Sequence, residues 1–418
     1  MQNARSDRRQ WSAQWGRWRR VLAGRPLPAA LIDLDALEVN IERLIAPARA
    51  TEKRIRIATK SLRCPSLVRR IAARLGDRVA GLMTYSAVES AFWAREPATP
   101  GGEAMRDLLL AYPTLQPSDL SAILDANREA RCSVVVDDPA QVDPLAAAAR
   151  SAGLEVPLVI EVDVAWRPFG RTLHIGVRRS PLRAVDDVVA LAQRIAATDG
   201  VRFAGVMGYE AQIAGLTDSS PLHAAQNRAR RAVKRLSRRD VESVRSTVVR
   251  ALTDGGLAPS LVNGGGTGSV GWSSAEEALT EITLGSGFLG AHLFDGYADL
   301  ALEPAALFAL QTVRRPGPGL VTCHGGGFVA SGDGGRDRLP LPWLPAGARL
   351  LGLEGAGEVQ TPIALPKGVE VELGDPILFR HAKAGELAEH FAEYLLVQGE
   401  TIVEIAPTYR GLGHCFLG

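Results

Sequence analysis

The sequence contains few cysteines, and their placement excludes two structural classes. Its four cysteines lie far apart, and none belongs to a Cys-x-x-Cys pair. A small disulfide-rich scaffold and a structural zinc cluster both need closely spaced cysteines, so we expect neither. The scarcity of cysteine instead favours a reducing, cytoplasmic location. The four positions are Cys64, Cys132, Cys323 and Cys415.

Long apolar runs and a strong net charge are also absent. No apolar segment approaches the roughly 20 residues that a membrane-spanning helix needs, and the formal net charge is only +2. We therefore expect neither a membrane protein nor a nucleic-acid binder. Residues 1–27 are rich in arginine and tryptophan, but they lack the apolar stretch of a signal peptide. This segment is expected to be a helical extension that packs on the body or on a partner subunit.

Short apolar, β-prone runs recur between residues 55 and 284, and helical patterns separate them. Such alternation predicts parallel strands joined by crossover helices. Eight such units predict a closed (β/α)8 barrel, with a doubly wound open sheet as the competing interpretation. The predicted strands are 55–59, 79–83, 108–111, 133–136, 157–164, 202–208, 260–263 and 281–284.

The pattern changes near residue 300, where glycine, proline and short β runs replace the helical periodicity. This change predicts a C-terminal antiparallel β domain at 301–418, after the extension at 1–27 and a barrel domain at 28–300. The early segment 28–45 could join the β domain, because it begins with a β-prone run. The strands predicted in the β domain are 307–313, 319–323, 348–353, 369–373, 376–379, 394–397 and 402–405.

Lysine is rare, so few residues can carry out chemistry that needs a primary amine. Lys60 is the only lysine that ends a predicted barrel strand, where we expect a buried stem and an amine directed at the barrel mouth. Desolvated lysines at such positions serve as Schiff-base nucleophiles. The other lysines are Lys53, Lys234, Lys367 and Lys383.

A glycine-rich motif follows the seventh predicted barrel strand and reads NGGGTGS at 263–269. Successive glycines let backbone N–H groups approach an anion, and Thr267 and Ser269 add hydroxyl donors. Barrel enzymes often bind phosphate after their seventh and eighth strands, and a Gly-Ser-Gly turn at 285–287 follows the eighth. A phosphate loop and a strand-end lysine in one barrel mouth are what a pyridoxal phosphate site requires.

These features resemble the fold-type III pyridoxal phosphate enzymes, and particularly the D-threonine aldolase and D-serine dehydratase branch. Bacterial proteins described as amino acid deaminase/aldolase are similar as well. The resemblance covers nearly the whole chain after residue 27, and it implies an alanine racemase-type barrel, a C-terminal β domain and a homodimer. The motifs that carry it lie at 28–41, 56–61, 107–113, 208–212, 263–269, 354–362 and 374–386.

The resemblance also implies roles for individual residues. Lys60 would form the internal aldimine with pyridoxal phosphate, and Tyr209 would meet the ring of the cofactor. The implied phosphate ligands are Gly265, Gly266, Thr267 and Gly268. The loop after the fifth strand is longer than the family pattern, so the position of the cofactor-side arginine stays open. The candidates are Arg167, Arg171 and Arg178.

The β domain departs from the family at one motif. D-threonine aldolases and D-serine dehydratases carry a metal-binding His-x-Asp or His-x-Cys pair, whereas this sequence reads His381-Ala382-Lys383. A protonated lysine cannot ligate a metal ion. Glu386 could replace it in a divalent metal site built on His381. Otherwise these residues form a metal-free polar cluster, and His381 or Lys383 would activate the β-hydroxyl group of the substrate.

The expected activity is that of a lyase acting on a small D-3-hydroxy amino acid. Retro-aldol cleavage would give glycine and an aldehyde, and dehydration with deamination would give a keto acid and ammonia. An amino acid racemase is an alternative, and it would need a second base such as Tyr394 or Tyr409. A non-catalytic pyridoxal phosphate-binding protein and a barrel enzyme for sugar phosphates are the remaining alternatives.

Overall fold

The computed structural model describes residues 2–97, 102–170, 172–332 and 334–417, with the backbone alone at 2–10, 102, 222 and 223. These residues form two compact units. The sheet unit comprises the described residues of Met1–Glu42, Ser61–Ser66 and Ser286–His414. The barrel unit comprises those of Arg43–Lys60, Leu67–Gly285 and Cys415–Gly418.

The helices and strands are numbered here in chain order. The helices are α1 (Gln2–Val21), α2 (Leu34–Arg49), α3 (Pro65–Leu75), α4 (Ala87–Arg95), α5 (Pro117–Glu129), α6 (Val142–Ser151), α7 (Val185–Ala196), α8 (Ala211–Ala214), α9 (Asn227–Asp254) and α10 (Val270–Ser273). The strands are β1 (Ala29–Asp33), β2 (Arg54–Ala58), β3 (Val79–Thr84), β4 (Asp107–Leu110), β5 (Arg131–Val136), β6 (Val156–Glu161), β7 (Val201–Met207), β8 (Leu261–Gly264), β9 (Glu281–Leu284), β10 (Ala306–Gly317), β11 (Leu320–His324), β12 (Leu341–Leu344), β13 (Arg349–Leu350), β14 (Gln360–Ala364), β15 (Pro376–Arg380), β16 (Glu393–Gln398) and β17 (Thr401–Pro407).

Strands β2 to β9 form a closed barrel in which every neighbouring pair is parallel. The predicted (β/α)8 barrel is therefore confirmed, and the open-sheet interpretation is wrong. Two crossover helices begin at a proline, Pro65 and Pro117, which suits a first helical turn. The helix between β8 and β9 is the short α10.

The barrel core explains why its strands have such apolar sequences. Strand side chains such as Leu109, Val135 and Val159 are fully buried in a single apolar cluster. Arg56 is also buried, and its guanidinium group donates to Glu281 at 2.6 Å and to Asp107 at 2.9 Å. A charge removed from water in this way is tolerated because it is paired.

The sheet unit is built around one sheet with the strand order β13-β14-β11-β10-β1-β16-β17, and β15 joins β12 to β10. Its pairs are antiparallel except for β1 and β16, which run parallel. The predicted C-terminal β domain is thus confirmed. Strand β1, from the segment whose assignment was open, lies between β10 and β16.

Three strand assignments in the sheet unit differ from the sequence-based ones. The strand expected at 369–373 is wrong, because Gly368 and Gly374 adopt positive φ and place the segment among turns. Strands β12 and β14 were not predicted. Each contains a proline, Pro342 or Pro362, and proline weakens a strand assignment made from sequence.

The helical N-terminal extension packs within the sheet unit. Trp18 is fully buried in the apolar cluster of the sheet, and the Trp15 indole N–H donates to the Pro376 carbonyl at 3.0 Å. An ion pair of 2.7 Å joins Arg17 to Asp33 on β1. Among the helices that the structure describes, none is both long and apolar enough to cross a membrane.

Candidate active site

Three of the candidate site features follow barrel strands directly. Lys60 lies in the turn Thr59–Ser61 after β2, Tyr209 follows β7, and the glycine loop (residues 264–269) begins at the last residue of β8. All the barrel strands are parallel, so the carboxyl ends of these three strands lie at the same rim. Barrel enzymes place their catalytic side chains at this rim.

Lys60 has a hydroxyl partner in the barrel unit. Its Nζ donates to the Tyr112 hydroxyl oxygen at 2.8 Å, and Tyr112 follows β4. The side chain of Lys60 is exposed, so the expectation of a buried stem is wrong. The buried strand ends at Ala58, and the turn that follows carries Lys60 out of the apolar layer. No feature of the sequence marks Tyr112 as the partner of Lys60, since a tyrosine after a strand is usually a packing residue.

The glycine loop owes its shape to two glycines. Gly265 has a φ of +82°, a conformation that side chains other than glycine rarely adopt. Gly266 lies against the ring of Tyr209, where an added Cβ would come within 3.4 Å of the ring and 3.0 Å of Ala214. Gly266 therefore lies close to Tyr209 and Ala214, and a larger residue at this position would require Ala214 to shift.

The backbone amides of Gly265 and Gly266 donate hydrogen bonds to acceptors within the protein. The Gly265 N–H donates to Glu210 Oε2 at 3.1 Å, and the Gly266 N–H donates to Ser269 Oγ at 3.1 Å. The structure thus places these two amides on protein acceptors. The role of Gly265, Gly266, Thr267 and Gly268 as phosphate ligands stays a prediction.

Glu210, which the sequence analysis did not single out, is the centre of a buried polar cluster. Its Oε1 accepts hydrogen bonds of 2.9 Å from the hydroxyls of Ser269 and Ser273, and its side chain is also ion-paired with Arg245. Arg245 in turn donates to Glu276 at 2.5 Å. The only sequence signal was an acidic residue at the end of a barrel strand, inside the GYEAQ motif.

The cluster balances buried charges against one another. Burial opposes ionisation of Glu210, but Arg245 and the Gly265 amide outweigh it and hold the pKa of this carboxyl below its usual value. Burial raises the pKa of Glu276, and Arg245 offsets that effect only in part. The Glu210 carboxyl is thus held ionised, which suits a group that accepts several hydrogen bonds.

Tyr209 carries a guanidinium group over its ring. The Arg179 Cζ lies 5.2 Å from the ring centroid, and Arg179 Nη1 lies 3.8 Å from Glu161 Oε1. Burial, together with neighbouring Glu210, raises the pKa of Tyr209 to about 12, so its phenol stays protonated at neutral pH. Burial likewise raises the pKa of Glu161 to about 6, although Arg179 opposes this shift.

Arg179 was not among the arginines that the resemblance proposed for the cofactor. Arg167 is ion-paired with Asp163, and Arg178 and Arg179 are both exposed, but it is Arg179 that lies over the Tyr209 ring. Arg171 lies outside the described residues. The structure therefore brings Arg179, one residue beyond Arg178, to Tyr209. Two adjacent arginines in an irregular loop look alike in sequence, and only the folded loop distinguishes them.

In the sheet unit, His381 follows β15 and is buried. Its Nδ1 lies 3.2 Å from the Ala306 carbonyl oxygen, and its Nε2 is buried without a hydrogen-bond partner in the structure. Burial lowers the pKa of His381 to about 3, and the neighbouring His292 and Arg380 act in the same direction. His381 is therefore a neutral imidazole at neutral pH.

Lys383 has a different environment from that of His381. Its Nζ donates to Ser331 Oγ at 2.8 Å and lies 3.8 Å from Glu386 Oε1, with nearly half of the side chain exposed. An ammonium group has no lone pair for a metal. Among the residues that the structure describes, no group of three or more His, Cys, Asp or Glu could hold a metal ion. These side chains do not fit the divalent metal that the resemblance implies.

Both tyrosines considered for a racemase are buried in the sheet unit. Tyr394 is fully buried, with its hydroxyl out of contact with solvent, and burial raises its pKa. Tyr409 is 1% exposed. A proton-transfer base has to reach its substrate, so the environment of these residues does not favour the racemase interpretation.

The barrel residues do fit a phosphate-bearing aldehyde such as pyridoxal phosphate. Lys60 offers an exposed primary amine at the rim, and Tyr209 offers an aromatic ring beside Gly266, which has no side chain. A Cβ at position 266 would fill this cradle. The described residues thus provide the amine, the ring contact and the open backbone approach that the cofactor needs.

Comparison with solved structures supports the fold. D-threonine aldolase from Filomicrobium marinum is 24% identical and superposes with a TM-score of 0.73, covering 92% of this chain and 95% of that one. D-threo-3-hydroxyaspartate dehydratase from Delftia sp. HT23 is 20% identical, with a TM-score of 0.70 and coverages of 93% and 98%. The two proteins share the architecture described here.

Comparison with characterised sequences identifies relatives that are lyases. D-threonine aldolase from Arthrobacter sp. is 29% identical over 72% of this chain and 71% of the relative. 3-Hydroxy-D-aspartate aldolase from Paracoccus denitrificans strain Pd 1222 is 28% identical over 62% of this chain and 59% of the relative. The family model for the alanine racemase N-terminal domain matches residues 32–251. This chain belongs to the alanine racemase N-terminal domain family, within the fold-type III pyridoxal phosphate enzymes.

Proposed function

We propose that the protein is a pyridoxal phosphate-dependent lyase that acts on D-3-hydroxy amino acids. The observation that carries the proposal is the Lys60 amine, exposed at the barrel rim and donating to Tyr112 at 2.8 Å. Lys60 is the only lysine that follows a barrel strand directly in the described residues. The named relatives, which are aldolases for D-configured hydroxy amino acids, support the substrate class.

Different residues of the barrel rim would bind the cofactor and transfer protons. Pyridoxal phosphate, when bound, withdraws electrons from the substrate Cα. Lys60 supplies the amine that anchors the cofactor, and its Nζ exchanges a proton with the Tyr112 hydroxyl across the 2.8 Å contact. Tyr209, whose phenol stays protonated, orients the ring, and the glycine loop holds the phosphate.

The products depend on which proton the protein removes. Removal of the β-hydroxyl proton breaks the Cα–Cβ bond and releases an aldehyde, and the return of a proton to Cα then gives glycine. Removal of the α-proton, for which the Lys60 amine is the base within reach, expels the β-hydroxyl group as water. Hydrolysis of the resulting imine then gives a keto acid and ammonia. The proposal covers both outcomes, which start from the same substrate.

A product assay tests the proposal. Purified protein reconstituted with pyridoxal phosphate is supplied separately with D-threonine, D-serine and D-threo-3-hydroxyaspartate, with the L-isomers as stereochemical controls. Glycine plus aldehyde indicates the aldolase reaction, and keto acid plus ammonia indicates the dehydratase reaction. Turnover of none of the D-substrates, or racemisation as the sole reaction, would contradict the proposal. The homodimer belongs to the same proposal, and light scattering of the purified protein tests it.

A further inference from the structure

We propose that Glu210 and Arg245 are positioning residues that shape the glycine loop for the phosphate of the cofactor and so make the barrel prefer pyridoxal phosphate to pyridoxal. This inference rests on the proposed function, because it assumes that the cofactor binds at the barrel rim. It goes further by assigning phosphate selectivity to a buried cluster at the base of the loop.

The contacts of Glu210 link the loop to the body of the barrel. Its carboxylate accepts hydrogen bonds from the Gly265 N–H at 3.1 Å and from the Ser269 and Ser273 hydroxyls at 2.9 Å each. Ser269 Oγ also accepts the Gly266 N–H at 3.1 Å, so the second loop amide reaches Glu210 through one hydroxyl. A single buried side chain thereby fixes both ends of the glycine loop.

Arg245 connects the same carboxylate to the segment that carries Tyr209. Its Nη2 donates to the Gly208 carbonyl oxygen at 2.6 Å and is also paired with Glu210. The Arg245 side chain is 4% exposed and that of Glu210 is fully buried, so water cannot replace either partner easily. The residue that presents the ring contact and the loop that presents the phosphate contact therefore share one support.

The physical reason for selectivity is the fixed conformation of the glycine loop. Because Glu210 and Ser269 accept the Gly265 and Gly266 N–H groups, the loop is held in one conformation before any ligand binds. A fixed loop meets the phosphate group without an ordering cost, which is the general advantage of a preorganised site. A cofactor analogue without phosphate lacks the group that meets the loop, and the Arg245–Gly208 contact that supports the Tyr209 segment does not involve Glu210, so the affinity of this analogue should depend far less on Glu210.

The test compares pyridoxal phosphate with pyridoxal, which lacks only the phosphate group. Absorbance titrations of the full chain give Kd values for both ligands in the wild type, Glu210→Gln and Glu276→Gln. In Glu210→Gln we expect the Kd for pyridoxal phosphate to rise about tenfold, as the loss of a hydrogen bond to a charged group predicts. The Kd for pyridoxal should change less than about twofold. The affinity ratio, defined as the Kd for pyridoxal divided by the Kd for pyridoxal phosphate, therefore falls.

Glu276→Gln is the matched control, because Glu276 is a buried carboxylate that pairs with Arg245 at 2.5 Å but makes no hydrogen bond to the loop in the described structure. We expect this variant to keep the wild-type ratio of the two affinities. An unchanged ratio in Glu210→Gln, or an equal fall in both variants, would overturn the inference. Each of those results would mean that the cluster supports the fold alone.

Two further outcomes are distinguishable. If Glu210→Gln does not fold, Ser269→Ala removes the link between the Gly266 amide and Glu210 while leaving Arg245 paired, and a fall of about threefold in the ratio is expected. No fall in Ser269→Ala would then overturn the inference. If wild-type protein binds pyridoxal phosphate no better than pyridoxal, the loop has no phosphate preference and the inference is wrong. If wild-type protein binds neither ligand, the proposed function itself fails.

Discussion

Two polar regions of the molecule differ in how the distance between residues along the sequence relates to their environments in the fold. In the barrel unit, the Glu210 cluster gathers residues that are up to 66 positions apart and pairs them at one buried point. In the sheet unit, the segment 381–383 spans three residues but places His381 in the interior and Lys383 at the surface.

The difference teaches that closeness in sequence does not make a site. The barrel cluster converges because parallel strands deliver their ends to one rim, and the crossover helix α9 places Arg245 behind two of them. The segment after β15 leaves the regular strand, so His381 and Lys383 adopt different environments. A functional assignment based on the spacing of these two residues alone would therefore join groups that the fold separates.

The strongest test of where the chemistry lies is Lys60→Ala. Because Lys60 is the amine at the barrel rim, we expect turnover to fall by about 10³-fold or more and the cofactor absorption band to be lost. Spectra and product assays of the reconstituted protein measure both effects. Lys53→Ala, at a lysine in the same unit that precedes β2, is the control and should retain the band. A Lys60→Ala variant with substantial activity would move the chemistry away from the barrel.

A second prediction concerns the stability of the barrel cluster. Arg245→Met would leave Glu210 and Glu276 buried without their cation, so the free energy of unfolding should fall by about 3–5 kcal/mol. Urea denaturation measures the loss. Arg194→Met provides the comparison, since Arg194 forms an exposed 2.7 Å pair with Asp143 and should cost less than about 1 kcal/mol. Equal losses in the two variants would show that the buried cluster has no special role in the fold.

His381 offers a pH-dependent test of the sheet unit. The folded protein lowers the pKa of His381 to about 3 from the ordinary value of 6.5, chiefly through burial. Between these two values the unfolded chain binds the extra proton, so stability falls as the pH drops through this window. From pH 7 to pH 4.5 the wild type should lose about 2.5 kcal/mol more than His381→Gln.

Urea unfolding at the two pH values measures this difference, and the other acidic groups cancel in the comparison of the two proteins. His324→Gln, at an exposed histidine of the same unit, is the matched control variant. Parallel curves for the wild type and His381→Gln would show that the buried imidazole titrates normally.

The smallest effect is expected from removal of metal. Because His381 and Lys383 do not form a metal-binding pair, a chelator should change the turnover of the reconstituted enzyme by less than about twofold. Lys383→Asp, which recreates the His-x-Asp pair of the resemblance, should also remain free of metal, since position 383 is exposed and His381 is buried. Elemental analysis after dialysis measures the bound metal. One equivalent of tightly bound metal in the wild type would contradict this prediction.

The sequence by itself determined the barrel, the β domain and the glycine loop. Strand and helix periodicities are local, so the alternation between residues 55 and 284 is readable without any contact between distant parts of the chain. Glycine is also informative in a sequence, because residues other than glycine rarely adopt the positive φ that Gly265 has. Lys60 stood out by elimination, as the only lysine at the end of a predicted barrel strand.

Only the tertiary structure decided which polar residues meet. Glu210 reaches Ser273 and Arg245, and Arg179 rather than Arg167 lies over Tyr209. These contacts depend on how strand ends and loops pack, and residues of the same type in the same loop carry no local mark that separates them. Burial acts in the same way, since the lowered pKa of His381 follows from its surroundings and not from its neighbours in sequence.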